Sequence, residues 1–355
     1  MRNNNLESFG RTLNENQTDN APASTSKNAS GSNVIQVPKI QLPSGGGALK
    51  GIDEKFEVNP TNGTGSFSIG LPISTGRNNF SPALGLQYNS GSGNGAFGLG
   101  WSVGVPAIVL KTDNGLPQYK GEDTYQISGA EDLVPYLEEI SPNVWQIQEK
   151  TTGDGYQVRQ YRPRLEGNFS RIERIYHPDH GTYWKLTSPT NITTIYGRSV
   201  AARIANPDDE TQIFQWLAEF SFDDKGNWIK YTYKPEDLEN IPNTIFEGQR
   251  LRGKLKFSNQ YLKRVQYGNR KPYYIDDTKP YDPVDPTLVK GSDEEEHFFE
   301  LVFDYGEHDE LIPAVEEKPG HAWLYRSDAF SSRRSGFEIR TNRLCQRVLM
   351  FHKFD

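Results

Sequence analysis

Glycine placement constrains this chain more than any other feature. Residues 44–110 read SGGGALKGIDEKFEVNPTNGTGSFSIGLPISTGRNNFSPALGLQYNSGSGNGAFGLGWSVGVPAIVL, and fifteen of the chain's 33 glycines fall between Gly45 and Gly104. A Gly/Ser linker would carry no apolar pattern. Here Phe67–Ile69, Leu84–Leu86–Tyr88 and Leu99–Trp101–Val103–Val105 alternate with Gly, Asn and Pro. Period-two alternation with such punctuation marks short strands and tight turns. The stretch is therefore a folded, glycine-rich β region. Trp101, Val103 and Val105 should share one face, with Trp101 largely buried. Some of Gly93, Gly95 and Gly98 should occupy positive φ, where a Cβ is costly.

Gly93–Asn94–Gly95–Ala96–Phe97–Gly98 fits G-x-G-x-x-G, and Asp113 lies 20 residues past Gly93, where a ribose-binding acid would stand. That motif binds a dinucleotide only if the glycines open a helix whose N-terminus meets the pyrophosphate. The residues that follow, Leu99 to Pro106, alternate as a strand and stop at a proline. A glycine turn between two strands is the better reading, so no cofactor-binding residue is assigned.

The chain has 355 residues, enough for two or three domains or one large β assembly. Hydrophobic content is only 34 % while aromatics reach 12 %, a balance that suits sheets with aromatic faces and thin cores. The net charge of −7 comes without a basic stripe, which argues against nucleic acid as a partner. Met1–Gly10 lacks the apolar segment of a secretory signal, and no run approaches the roughly 18 apolar residues of a membrane span. The expectation is a chain made in the cytoplasm without a signal peptide, released by another route to the extracellular region, with no direct membrane insertion.

Residues 1–43 contain eight asparagines, one Phe and no Tyr or Trp, too little apolar surface to offset ordering entropy. They are expected to form a disordered tail, with 44–355 as one β domain. Strands are expected at Asp132–Tyr136, Val144–Ile147, Tyr156–Tyr161, Ser170–Tyr176, Thr182–Thr187, Thr193–Tyr196, Tyr261–Tyr267 and Phe298–Tyr305. Two turns stand out: His177–Gly181, and Asp223–Asn227, where glycine takes a positive φ inside a hairpin. Pro235–Asn240 is the one helical candidate. Residues 271–297, rich in proline and acid, should form a surface excursion. The apolar run Leu344–Phe354 ends without a turn, as in a protein cut short of its natural length, and would leave an open apolar edge. The fold class is all-β, an extended antiparallel hairpin meander.

No catalytic or metal-binding residue is assigned. Cys345 is the only cysteine; His352, seven residues on, falls on the opposite strand face, so the thiol reads as packing. His177 and His180 offer two imidazoles but suggest no third metal ligand.

The glycine-rich block, then ISGAEDLVPYL and FSSRRSGFEIRTNRLCQRVLMFHKF, resemble the amino-terminal domain of the Salmonella virulence plasmid B protein (SpvB) family. The same domain opens the B component (TcB) of insecticidal toxin complexes. Phe222–Tyr233 and Tyr261–Asn269 are also similar to RHS/YD-type hairpins. The resemblance implies part of an RHS-like β-shell that encapsulates an effector, with a C component (an RHS protein) as partner and the pore-forming A component reached through a downstream propeller. It also implies an alternative, the amino-terminal part of an ADP-ribosylating toxin whose catalytic domain lies beyond residue 355. The transferase pattern needs an arginine, Ser-Thr-Ser on a strand and Glu-x-Glu. Ser24–Thr25–Ser26 and Glu294–Glu295–Glu296 read instead as solvated polar runs. The expected role is a non-catalytic assembly domain of a toxin or virulence protein, without cofactor. A glycan-binding module, using exposed Tyr and Trp, is a weaker third reading.

Overall fold

The computed structural model describes residues 55–58 and 63–354, apart from 128–131, 166, 168 and 287–296. The expected tail over 1–43 lies outside the described residues, as do Ser24–Ser26 and Glu294–Glu296. Four strands make a small sheet: β1 (Lys55–Val58), β2 (Gly65–Gly70), β3 (Gly85–Asn89) and, after a miniature hairpin of β4 (Asn94–Gly95) and β5 (Gly98–Leu99), β6 (Trp101–Val103). Next come β7 (Ala107–Leu110), β8 (Tyr125–Ile127), β9 (Asp132–Pro135), β10 (Leu137–Ser141), β11 (Val144–Ile147) and β12 (Glu149–Thr151). They are followed by β13 (Gln157–Pro163), β14 (Arg171–His177), β15 (Gly181–Thr187), β16 (Thr193–Tyr196), β17 (Arg203–Asn206) and the 14-residue β18 (Asp209–Phe222). The rest is β19 (Trp228–Pro235), the helix α1 (Gly248–Gly253), β20 (Gln260–Asn269), β21 (His297–Asp304), a short pair β22 (Phe330–Ser332) and β23 (Ile339–Thr341), and β24 (Arg347–His352).

The all-β class is what the sequence implies; Phe222–Tyr233 forms its hairpin, whereas Tyr261–Asn269 lies within the single strand β20. What periodicity did not carry is closure. The main sheet runs β16-β15-β14-β13-β9-β8-β7-β18, and β16 also pairs with β18, so eight strands return on themselves as a barrel. β18 is long enough to serve several neighbours. Its Phe222 faces Thr193 of β16 and Trp228 of β19, while Trp216 faces Ile108 of β7 and Arg203 of β17. From β18 the sheet continues through β19, β20 and β21 to β24 as an open extension.

Alternation divides the wall's side chains between two faces. Inward, Tyr125, Tyr161, Trp184 and Trp216 meet edge to face with ring centroids 4.9 to 6.1 Å apart, the geometry aromatic quadrupoles favour. Outward, Ile175, Tyr183, Ile195, Phe220 and Trp228 form a second buried cluster with Tyr273 and Tyr281. Those two tyrosines come from residues 271–286, which lie along the wall as a strap. Tyr183 donates its hydroxyl to the Tyr281 carbonyl, Lys185 donates to Pro280 O at 3.0 Å, and Arg198 pairs with Asp282 at 2.6 Å. A different element projects bare: the hairpin β10–β11 is exposed along its whole length, Trp145 included.

The Asp223–Asn227 turn forms as expected. Asp223 Oδ1 accepts the Lys225 and Asn227 N–H groups, and Gly226 sits at φ 84°. In the glycine-rich block, Gly98 is at φ 107° while Gly93 and Gly95 are not at positive φ. Trp101 is only half-buried, because its sheet is small; it packs on Tyr88 and Phe67 at centroid distances of 5.2 and 6.2 Å. Pro235–Asn240 is not helical. The carbonyls of Asp237 and Glu239 both accept from Arg343, at 3.1 and 2.7 Å, and so are spent outside any helical ladder. The α-helix of the described residues lies further on, at α1. No helix among them is long and apolar enough to cross a membrane.

Glycine substitutions separate these roles. A Cβ on Gly226 would sit 2.6 Å from Pro272 Cβ at a positive φ, whereas Gly93 has nothing within 4 Å. Gly226→Ala should lower unfolding free energy by about 1–3 kcal/mol, and Gly93→Ala should change it by less than about 0.5 kcal/mol. Urea unfolding of both variants checks this.

Candidate functional site: the sheet extension and its ionic joint

The residues singled out in the sequence do not converge. Asn94–Gly95 pairs with Gly98–Leu99 as a hairpin followed by strand β6, and no helix opens after the glycines. This loop also has the wrong polarity for phosphate. A phosphate cradle presents N–H donors, but here Gly95 O and Asn94 Oδ1 accept from Arg326 at 2.7 and 2.8 Å. Asp113 is an exposed turn residue whose carboxylate lies 3.6 Å from Lys111.

Cys345 Sγ lies 3.4 Å from the Arg347 carbonyl, and burial pushes the thiol up to about 12. His352 is engaged elsewhere, with Nε2 2.8 Å from Ser74 Oγ. The rings of His177 and His180 stack 5.2 Å apart beside Tyr156. Burial, then the nearby Arg198, holds His180 below its ordinary value. Among the described residues no group of three His, Cys, Asp or Glu is arranged to hold a metal.

What the fold does bring together is a set of buried ion pairs around the open extension. Arg343 is fully buried and pairs with Glu236 at 2.9 Å and Asp237 at 3.0 Å, with Trp323 under its guanidinium at 4.2 Å. Glu236 also accepts from Tyr261 Oη at 2.5 Å. Glu247 holds Arg340 and Arg250, and Arg250 reaches on to Glu338 at 2.5 Å. Long loops between β19 and β24 are thereby fixed to the sheet. Removing one partner of a buried pair strands a charge, a cost of about 3–5 kcal/mol.

The last strand is tied at both ends. Asp304 of β21 pairs with Arg347 at 2.7 Å where β24 begins. Glu300 of β21 accepts from His297 at 3.0 Å, Lys353 at 2.8 Å and Arg264 at 3.1 Å where β24 ends. β24 thus lies at the end of the sheet with one side paired to β21 and, among the described residues, no strand on the other. Lys353 N–H donates to Phe298 O, so Phe351 and Leu349 face β21 by the alternation of antiparallel ladders. The N–H groups of Val348 and Met350 then point to the open side.

This architecture is shared with known proteins. The family model for the Salmonella virulence plasmid 65kDa B protein, SpvB, matches residues 59–354. The chain belongs to the SpvB family. It is 36% identical over 320 residues to the mono(ADP-ribosyl)transferase SpvB of Salmonella typhimurium (strain 14028s) and to that of Salmonella dublin, a match covering 88% of this chain and 50% of each relative. The chain therefore spans about half the length of the curated relatives it matches. The solved N-terminal domain of effector protein SpvB from Salmonella typhimurium strain LT2 has TM-score 0.67 at 36% identity, over 81% of this chain and 87% of that one. A crystal structure of TcdB2-TccC3 without its hypervariable C-terminal region gives 0.71 at 36%, over 90% and 14%. The Photorhabdus luminescens Tc holotoxin pore gives 0.70 at 35%, again over 90% and 14%. The fold is thus that of the SpvB amino-terminal domain and of one stretch of the much larger Tc toxin chains.

Sequence reading missed most of the ion pairs because their partners lie tens of residues apart; Glu247–Arg250 and His297–Glu300, three residues apart, are the exceptions. The only local signal was polar and charged residues interleaved with apolar ones in Ser335–Arg347, where a solvated strand face was equally compatible.

Acid should loosen the joint. Burial alone would raise the Glu300 carboxyl, but hydrogen bonds from His297 and Lys353 and their charge outweigh it and hold the group at about 2 against an ordinary 4.5. A depressed folded value contributes stability above pH 4.5 that is lost as pH falls from 4.5 towards 2. Glu300→Gln should be less stable than the parent at pH 7, and the gap should close over that acid window. Melting temperature against pH measures it.

Proposed function

We propose that this chain is a structural, non-catalytic domain of a toxin-complex B-type protein, building part of a β-shell that encloses and delivers an effector. The observation that carries it is the likeness to TcdB2-TccC3 and holotoxin structures over about nine-tenths of the chain, joined to an end strand tied by carboxylates whose outer side no strand covers among the described residues. An open ladder edge is a template for another strand. In this reading β24 receives the next strands of the shell. A C-type component such as the TccC3 of the matched complexes completes the enclosure, and a pore-forming A component receives it through a downstream propeller. Release to the extracellular region belongs to the same reading.

The alternative, an amino-terminal half carried by a transferase, rests on the curated relatives' name, mono(ADP-ribosyl)transferase. In that arrangement too the chemistry lies outside the residues described here, and the chain's role is structural.

The test is a full-length B-type protein carrying this chain, co-expressed with its C-type component and imaged by electron microscopy. Met350→Pro removes an N–H on the open side, which an edge strand tolerates, together with a half-buried side chain that packs on the core; Met350→Ala loses the same packing and keeps the N–H. Shell assembly should fail in the proline variant and persist in the alanine one, while the two isolated chains unfold within about 1 kcal/mol of each other. Normal shells in the proline variant would contradict the edge-pairing reading, and NAD turnover by the isolated chain would contradict the non-catalytic one.

A further inference from the structure

One end of the barrel opens into a small pocket of about 60 Å³ lined by Tyr125, Arg174, Thr182, Ile213 and Trp216, with Asp123 at the same pocket on the loop between β7 and β8. Such a volume holds a few waters or one small polar group. Arg174 faces inward from β14, directly cross-strand from Trp184 of β15. Its guanidinium carbon stands 5.7 Å from the Tyr125 ring centroid.

Several other arginines on or beside the barrel wall have anions. Arg159 pairs with Glu149 at 2.6 Å, Arg171 with Glu173 at 2.5 Å and Arg198 with Asp282 at 2.6 Å. Arg174 has no such pair among the described residues, and its Nε is buried without a hydrogen-bond acceptor. The indole N–H of Trp184, which is fully buried, also lacks an acceptor. Two orphan donors on adjacent residues of neighbouring strands are costly in an interior, and a guanidinium does not shed its proton to escape the cost. By contrast, Trp216 Nε1 donates to Thr182 O at 2.8 Å.

We propose that this pocket binds a single carboxylate, with the Arg174 guanidinium as its principal donor, Thr182 beside it and the Tyr125 and Trp216 rings as walls. Arg174 is the one cation lining the pocket and Asp123 its one anion, so a single further negative charge set against the guanidinium is the most the lining accommodates. A phosphate dianion exceeds that, because Asp123 adds its own negative charge at the pocket while its two oxygens accept from the N–H groups of Gln118 and Tyr119 at 2.9 and 2.7 Å. The carboxylate comes either from a free short-chain acid or from a glutamate side chain of a polypeptide. The site is independent of the assembly role proposed above, so either stands if the other falls.

The test is side-chain NMR of the Arg174 Nε–H resonance in the full chain. Sodium acetate and the blocked peptide acetyl-Gly-Glu-Gly-amide are titrated separately, against sodium chloride at equal ionic strength and the glutamine version of the peptide. Saturable shifts with a carboxylate probe, and none with chloride or the glutamine peptide, are expected. A response to acetate alone assigns a free acid; a response to the peptide alone assigns a protein side chain; a response to both supports the shared chemistry. Tryptophan fluorescence should show binding weakened ~10-fold or more in Arg174→Gln. Thr182→Val, which leaves the guanidinium in place, should weaken it less and covers the case in which the first variant fails to fold. Shifts that only follow ionic strength, or unchanged affinity in a folded variant of Arg174, would overturn the proposal.

Discussion

The structure depends on the double pairing of β18. An antiparallel sheet of this length has backbone groups at two edges that must find partners or water. By laying its carboxy-terminal half against β16 and β19 and its middle against β7 and β17, β18 removes the edges of eight strands at once. The 3-10 turn at Val200–Ala202 lets the chain leave β16 and rejoin the same side of β18 as β17. Closure also makes the aromatic core possible. With only 34 % hydrophobic residues in the chain, a closed wall concentrates Trp184, Trp216, Tyr125 and Tyr161 where they are shielded from water on every side.

The open extension solves a different problem with different chemistry. It has loops rather than a second wall to cover it, and those loops are fastened by carboxylates and arginines. Burying ions is unfavourable unless each finds its partners. Here each central carboxylate has several: Glu236 meets Arg343 and Tyr261, and Glu300 meets His297, Lys353 and Arg264. Such ties are directional where hydrophobic contact is not. They set where the last strand lies, and so where its open side points, which is the feature the assembly reading requires.

Much of this was legible locally. The Asp223–Asn227 turn, the His177–Gly181 turn and most strands follow from short-range chemistry: an Asx side chain bonding its own backbone, glycine at positive φ, and period-two alternation. The failure of the G-x-G-x-x-G reading was equally visible, since the residues after Gly98 alternate as a strand. Two things were not visible. The closure between β16 and β18 is a long-range pairing that periodicity cannot report. The role of Glu236 and Asp237 in holding Arg343 turned an apparent helix start at Pro235 into irregular backbone, a tertiary override of local propensity. Trp101 illustrates a smaller limit: alternation placed its face correctly, but the depth of burial depends on how large a sheet lies beneath it.

The central claim is that the ladder closes, and native-state hydrogen exchange tests it most directly. If β16 and β18 are paired, the amides that cross between Thr193–Tyr196 and Ala218–Phe222 should exchange as slowly as those between β14 and β15 in the middle of the wall. Exchange at those positions as fast as on the open side of β24, with β14–β15 still protected, would show an unclosed sheet and contradict the account.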